Sequence, residues 1–432
     1  MVTTVRARCS WLARAVLLGL CAGILAGLSS AGFLASLDVM TDTRRSHRAL
    51  LWFLPVAGLV IGVAYHYGGG RSAGGNALIV DEIHTPGAGV PRRMAPLVYV
   101  GTLVTHLFGG SAGREGTAVQ MSGSLSAALG RRLDLTAQER RLLLIAAISA
   151  GFASVFGVPF AGAIFGLEVR AGGRLRWAAA IPAVVASLVG AMIVYGLGIR
   201  HATYAPIGPL TLSPRVLGSV AIVGACCGLT SIAFVELTHG IQHVLAVVVG
   251  WPPLRPVIGG VAVIGLTLAL GTRAYLGLST PLLDASLAGG AGVVAAAFAL
   301  KLVFTAITLG SGFPGGEVTP LFVMGATLGV TVAHVLHAPV SVLAAVGFVA
   351  LFAGAANTPL TCFVMGVEIF GAALWAPLAI GCVLSFACSS HRSIYASAAH
   401  GSGRRRRPLP RRLSKLRSWR RARSASDRGD RV

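Results

Sequence analysis

Apolar residues run along this chain in long blocks, and the polar positions between them are mostly glycine, serine and threonine. The clearest blocks are Ala13–Leu37, Leu51–Tyr65, Leu142–Val169, Ala178–Leu197, Leu217–Leu237, Ile258–Leu270, Val293–Leu309 and Val340–Ala355. A helix crossing a bilayer needs roughly 20 apolar residues, so these blocks predict an all-α polytopic membrane protein. Several are too long or too short for one clean span. Glycine and proline explain the mismatch, since they break helices wherever protein or water can cover the freed backbone. The pattern therefore predicts broken and re-entrant helices.

Composition supports this and locates the charge. Of 432 residues 55% are hydrophobic and 12% charged, where soluble domains carry about 25% charged residues. The formal charge is +22, and the segment 401–432 holds thirteen basic and two acidic residues, which is half of that excess. Residues 1–400 are thus the membrane domain, and 401–432 is a basic, disordered tail. The positive-inside rule puts the tail in the cytoplasm, where anionic lipid headgroups are a candidate partner. A lone aromatic, Trp419, and no folded module argue against nucleic acid. The basic, apolar N-terminus reads as a first membrane helix that also starts inside, so the number of crossings is even. Seven scattered cysteines give neither a metal spacing nor a disulfide framework.

An internal repeat organises the chain. Residues 151–169, GFASVFGVPFAGAIFGLEV, align without a gap on 351–369, LFAGAANTPLTCFVMGVEI, matching Phe152 to Phe352, Pro159 to Pro359 and Glu168 to Glu368. After a two-residue insertion, Glu115 and Thr117 of GREGTAVQM fall on Glu317 and Thr319 of GGEVTPLF. The repeats span about 11–200 and 214–398. Gly-interrupted segments at matching places in two halves point to a transport site between them. A glycine cluster before a helix start leaves backbone N–H donors unpaired at the positive end of the dipole, a ready anion site. Four such starts are predicted to converge: near Glu115, near Glu317, at the Gly-rich opening 68–84, and after the Pro359 break.

The membrane domain holds twelve acidic residues, and intramembrane carboxylates are functional candidates. Thr136 and Glu139 form a capping box, a structural role. Glu168 and Glu368 sit at equivalent helix ends and read as a shared structural duty. Glu115 and Glu317 differ, because each follows glycines at a helix start. A carboxylate there can fill the anion site itself, leave when an anion arrives, and take up a proton. Its bland alternative is an N-terminal helix acid worth about 0.3–1 kcal/mol.

At these residues the sequence resembles the CLC family of chloride channels and proton-coupled anion antiporters. Gly113-Arg114-Glu115-Gly116 matches the family's G-R-E-G signature, Gly315-Gly316 with Pro320 its G-G-x-x-x-P signature, and Tyr395 its late tyrosine. The resemblance implies a CLC-type fold of two inverted-topology repeats, a homodimer, and no cofactor or enzymatic activity. It implies that Glu115 is the gating, proton-carrying glutamate. It places Asn76, Arg114, Gly116, Thr117, Gly315, Gly316, Glu317, Val318, Thr319 and Tyr395 around the anion. Departures point to one branch: Asn76 replaces a serine, Thr117 a proline, and Glu317 an apolar residue. G-R-E-G-T with G-G-E-V-T-P is similar to the fluoride-specific branch, which exchanges fluoride for protons.

Fluoride is small, strongly hydrated and a strong acceptor, so its site needs dense donors such as Asn76, Thr319 and helix-start N–H groups. The expected activity is fluoride export across the plasma membrane in exchange for protons. A chloride/proton antiporter or chloride channel of the same family is the alternative. Arg392, beside the Tyr395 motif, leaves the inner pathway open. An intramembrane hydrolase is disfavoured, because His84, His106 and the serines of GGSAG form no consistent nucleophile–base pair and no H-E-x-x-H metal motif occurs.

Overall fold

The computed structural model describes residues 2–84, 87, 89–169, 177–204, 212–389 and 393–395, with only the backbone described for 2–9 and 84. Arg392 and the basic tail lie outside the described residues. So does any contact of that tail with lipid.

Sixteen α-helices account for most of the described chain, and they fall into two successions of eight. The first is α1 (Val2–Ser46), α2 (Leu54–Val63), α3 (Gly75–His84), α4 (Met94–Leu107), α5 (Glu115–Arg132), α6 (Ala137–Phe156), α7 (Pro159–Glu168) and α8 (Ala180–Gly196). The second is α9 (Pro214–Val248), α10 (Leu254–Leu270), α11 (Thr280–Leu287), α12 (Ala297–Gly310), α13 (Val318–Leu336), α14 (Val340–Ala356), α15 (Pro359–Phe370) and α16 (Trp375–Cys388). Packing repeats with the same step of eight. α1 lies on α8 as α9 lies on α16, α5 on α6 as α13 on α14, and α6 on α7 as α14 on α15. Five helical stretches, among them Ser10–Ser46, Pro214–Val248 and Val318–Leu336, are long and apolar enough to cross a bilayer.

The breaks have local causes. The apolar block Leu142–Val169 is two helices, because Gly157 ends α6 in the left-handed region (φ 71°) and Pro159 starts α7. Asn357 (φ 58°) and Pro359 divide α14 from α15 in the same way. A left-handed residue satisfies the last carbonyls of a helix, and proline lacks the N–H that continuation requires. The block from Val293 enters its helix only at Ala297, after a turn in which Gly290 and Gly292 take positive φ. Close helix crossings also need glycine. A Cβ on Gly325 of α13 would overlap the Gly347 carbonyl of α14.

Contacts between the two halves are reciprocal. Glu368, at the end of α15, accepts from Phe160 N (3.0 Å) and Ala161 N (2.7 Å) at the start of α7. Glu168, at the end of α7, accepts from Leu360 N (2.9 Å), Thr361 N (2.7 Å) and Thr361 Oγ1 (2.6 Å) at the start of α15. Phe152 stacks on its counterpart Phe352, with centroids 6.0 Å apart. Each half caps the other, as a two-fold axis between them requires.

Candidate anion site

Two helix starts meet at the centre of this arrangement. Gly113 and Gly316 form an antiparallel bridge, with Gly113 N donating to Gly316 O (2.6 Å) and Gly316 N to Gly113 O (2.8 Å). The bridge brings the first turns of α5 and α13 together. Glycine is required here, since a Cβ on Gly316 would stand 2.8 Å from Glu115 N and 2.9 Å from Gly116 N. Gly315 is equally confined, its Cβ position lying 2.5 Å from Ala112 Cβ.

Glu115 is the first residue of α5 and is 1% exposed. Its side chain crosses to the other helix start. Glu115 Oε2 accepts from Thr319 N (3.1 Å) and from its neighbour Arg114 N (3.1 Å), while Thr319 Oγ1 donates to Glu115 Oε1. The carboxylate therefore occupies the N–H and hydroxyl donors at the start of α13, where the dipole favours negative charge. A free anion at this point would use the same donors.

The remaining predicted residues surround this pair to different degrees. Glu317 is the N-cap of α13 and partly buried, and its carboxylate receives no side-chain cap bond. Val318, 2% exposed, opens α13. Tyr395 is 9% exposed, sets its ring edge-on to Phe165 at 6.0 Å, and lies within electrostatic reach of both Glu317 and Glu115. Asn76, on the first turn of α3, faces Gly116: its Nδ2 is 2.9 Å from where a Gly116 Cβ would be, and its buried Oδ1 has no partner among the described residues. Arg114 is the cation acting most on Glu115, although its buried Nε is likewise unpartnered among the described residues. Thr117 points elsewhere, sharing a hydrogen bond with Thr102 Oγ1 (2.7 Å). Of the four helix starts expected to converge, that of α15 is already taken, because Glu168 holds its N–H groups.

Features outside the sequence expectation border the site. Phe322 stacks on Phe348 at 4.0 Å, packs beside Phe156 and turns edge-on to Phe352. Phe322 stands one turn past Thr319 on α13, so this apolar cluster borders the site. On the side of the α1 end lies a cavity of about 700 Å³ lined by Arg44, Arg45, Arg48 and Arg273, with no acidic residue among the described residues of its lining. Its wall reaches the loop before Glu115: Gly109 packs against Leu51, Leu276 and Arg44, and Gly277 N donates to Gly110 O (3.1 Å).

The family model described as voltage gated chloride channel matches residues 57–390. The chain belongs to that family. A relative in Pseudomonas syringae pv. tomato, named chloride/fluoride channel protein, is 45% identical over 97% of this chain and 93% of its own. The crystal structure of a CLC-type fluoride/proton antiporter superposes with a TM-score of 0.86 at 32% identity, covering 89% of this chain and 97% of that one. A slow cyanobacterial Cl⁻/H⁺ antiporter shares the fold at 18% identity, with a TM-score of 0.74 over 87% of this chain and 94% of its own. The voltage-gated chloride channel fold thus accounts for the all-helical architecture of this member and its two matched halves.

Proposed function

We propose that this protein is a proton-coupled fluoride antiporter that exports fluoride across the plasma membrane. One observation carries the reading: the Glu115 carboxylate lies on the Thr319 N–H and hydroxyl at the start of α13, in the position of a bound anion. Similarity to a fluoride/proton antiporter and to a chloride/fluoride channel protein supports the choice of fluoride. An arriving anion takes the donors of α13, and Glu115 swings away and is protonated. The protonated carboxyl then gives up its proton on the opposite side of the membrane, and the carboxylate so formed returns to the seat and expels the anion. Fluoride gains most from such a seat, because hydroxyl and N–H donors replace its tightly held water and a protonated carboxyl adds a strong, charge-assisted bond.

In this cycle Glu317, Asn76 and Tyr395 flank the path, with Gly116, Gly315 and Val318 forming its backbone walls and Arg114 its electrostatic support. Thr117 acts through Thr102 by holding the first turn of α5. The two repeats, about 11–200 and 214–398, meet at this point in a homodimer with both termini cytoplasmic. Purified protein in liposomes loaded with fluoride or with chloride tests the proposal. Fluoride should leave rapidly and move protons inward, with chloride much slower. Comparable rates for both anions would favour a chloride carrier instead.

A further inference from the structure

Lys301 is one of two lysines in the chain, and the other, Lys415, lies in the tail. It sits on α12 with 0% of its surface exposed. A lone ammonium inside a membrane domain is costly and marks a functional candidate. The three N–H groups of its Nζ are shared among four acceptors: Ser111 Oγ (2.9 Å), Ser279 Oγ (2.9 Å), Gly277 O (2.7 Å) and Tyr275 O (3.2 Å). All four acceptors are neutral, and among the described residues no carboxylate comes within ion-pair distance. The charged or titratable groups that face it are Arg44 from α1 and His106 from α4.

These contacts join the gate loop to the wall of the arginine-lined cavity. Ser279 and the segment around it form a wall of the arginine-lined cavity. Ser111 belongs to the loop that carries Gly113 and Glu115. That loop is otherwise held by neutral contacts: Ser111 Oγ with Thr305 Oγ1 (3.0 Å), Ser111 N to Thr308 Oγ1 (3.1 Å), and the His106 ring nitrogens against Thr102 O (2.9 Å) and Ala112 O (3.1 Å). Thr305 and Thr308 already tie Ser111 to α12. The ammonium adds a link from that loop to the cavity wall. Arg114 is the cation acting most on Glu115, and Lys301 reaches the gate through hydrogen bonds to its loop. Its influence on the gate is therefore geometric.

We propose that Lys301 is a positioning residue for anion–proton exchange. It fixes Ser111, and through Ser111 the Gly113–Gly316 bridge and the seat of Glu115, against the wall of the arginine cavity. The proposal rests on the reading of Glu115 as the gate. A carboxylate that must alternate between two helix starts needs its loop held still, and a misplacement of about 1 Å can cost about a hundredfold in rate.

Three full-length variants in liposomes test this: S111A, S279A and K301M. S111A and S279A each delete one contact of the same ammonium, but only Ser111 is on the gate loop; because S111A also removes the Ser111 Oγ–Thr305 Oγ1 bond, T305V is run beside the three as its control. S111A is expected to cut fluoride turnover about 10- to 100-fold with little change in KM, while S279A, with a similar loss of melting temperature, stays within about twofold of wild type. K301M should resemble S111A, and the double variant should be no slower than K301M alone. If S111A and S279A slow transport equally, in step with their lost stability, Lys301 is only structural. Folded K301M that transports at the wild-type rate would overturn the proposal in the same way. Where K301M fails to fold, S111A against S279A and T305V still decides: S111A slower than both supports the proposal, and T305V as slow as S111A overturns it. Glu115→Ala run in parallel separates the two ideas, since retained proton coupling there would sink the gate reading whatever the serine pair shows.

Discussion

The seat of Glu115 is built from few atoms, so single substitutions should read it cleanly. Thr319→Val keeps the shape and removes the hydroxyl that donates to Glu115 Oε1. A hydrogen bond to a charged group contributes about 1.5–3 kcal/mol, so in a Glu115→Ala background, where no carboxylate competes for the same donor, fluoride binding measured by isothermal titration should weaken by at least about tenfold. Gly316→Ala places a methyl within 2.9 Å of both Glu115 N and Gly116 N. Overpacking of this kind costs about 1–3 kcal/mol, and here it falls on the bridge, so turnover should drop further than melting temperature does. Outside the membrane, Thr136 and Glu139 form the predicted capping box, and their hydrogen bonds hold the Glu139 carboxyl below its ordinary range. A lowered carboxyl stabilises the fold at neutral pH, and that contribution fades as acid protonates it. The melting temperature of wild type minus that of Glu139→Gln should therefore be positive near neutral pH and shrink towards about pH 3. At this scale the sequence exposed Glu115, Thr319 and the glycines, because their motif is contiguous. Thr102 as the partner of Thr117 was invisible, since that contact joins α4 to α5 through side-chain rotation. Lys301 did leave a signal, an isolated lysine in an apolar block, but its acceptors lie 22 to 190 residues away.

Among the elements, the paired caps of α7 and α15 show why matched glutamates were legible while their partners were not. The offset of 200 residues identified Glu168 and Glu368 as equivalent and structural. It did not reveal that each serves the other half. Removing either carboxylate takes the cap from a partly buried helix start, at about 0.5–2 kcal/mol. Glu168→Ala and Glu368→Ala should each lower the unfolding midpoint in detergent by comparable amounts, and the proton-to-fluoride ratio of surviving protein should not change. A changed ratio would place these residues on the proton route. Helix breaks at Gly157–Pro159 and Asn357–Pro359 were only half visible. Proline announced each break, but the block from Leu142 to Val169 still read as continuous because its hydropathy never falls.

On the scale of the molecule, two sets of eight helices in the same order turn a weak internal similarity into an architecture, and solved relatives share it. Periodicity and charge were enough to predict a polytopic helical protein. The convergence of helix starts was only partly legible, since α15 spends its donors on Glu168 and leaves α5 and α13 as the joined pair. Nothing local to either segment encodes that difference. It depends on which half-helix ends near which carboxylate once both repeats have folded.

The most direct test of the central claim is fluoride-driven proton movement in liposomes, wild type beside Glu115→Ala. The account predicts that an outward fluoride gradient drives protons inward through wild type against their own gradient. It also predicts that Glu115→Ala abolishes this pumping, whatever fluoride leak remains. Proton pumping that persists in Glu115→Ala, or wild type that moves fluoride with no protons, would contradict it.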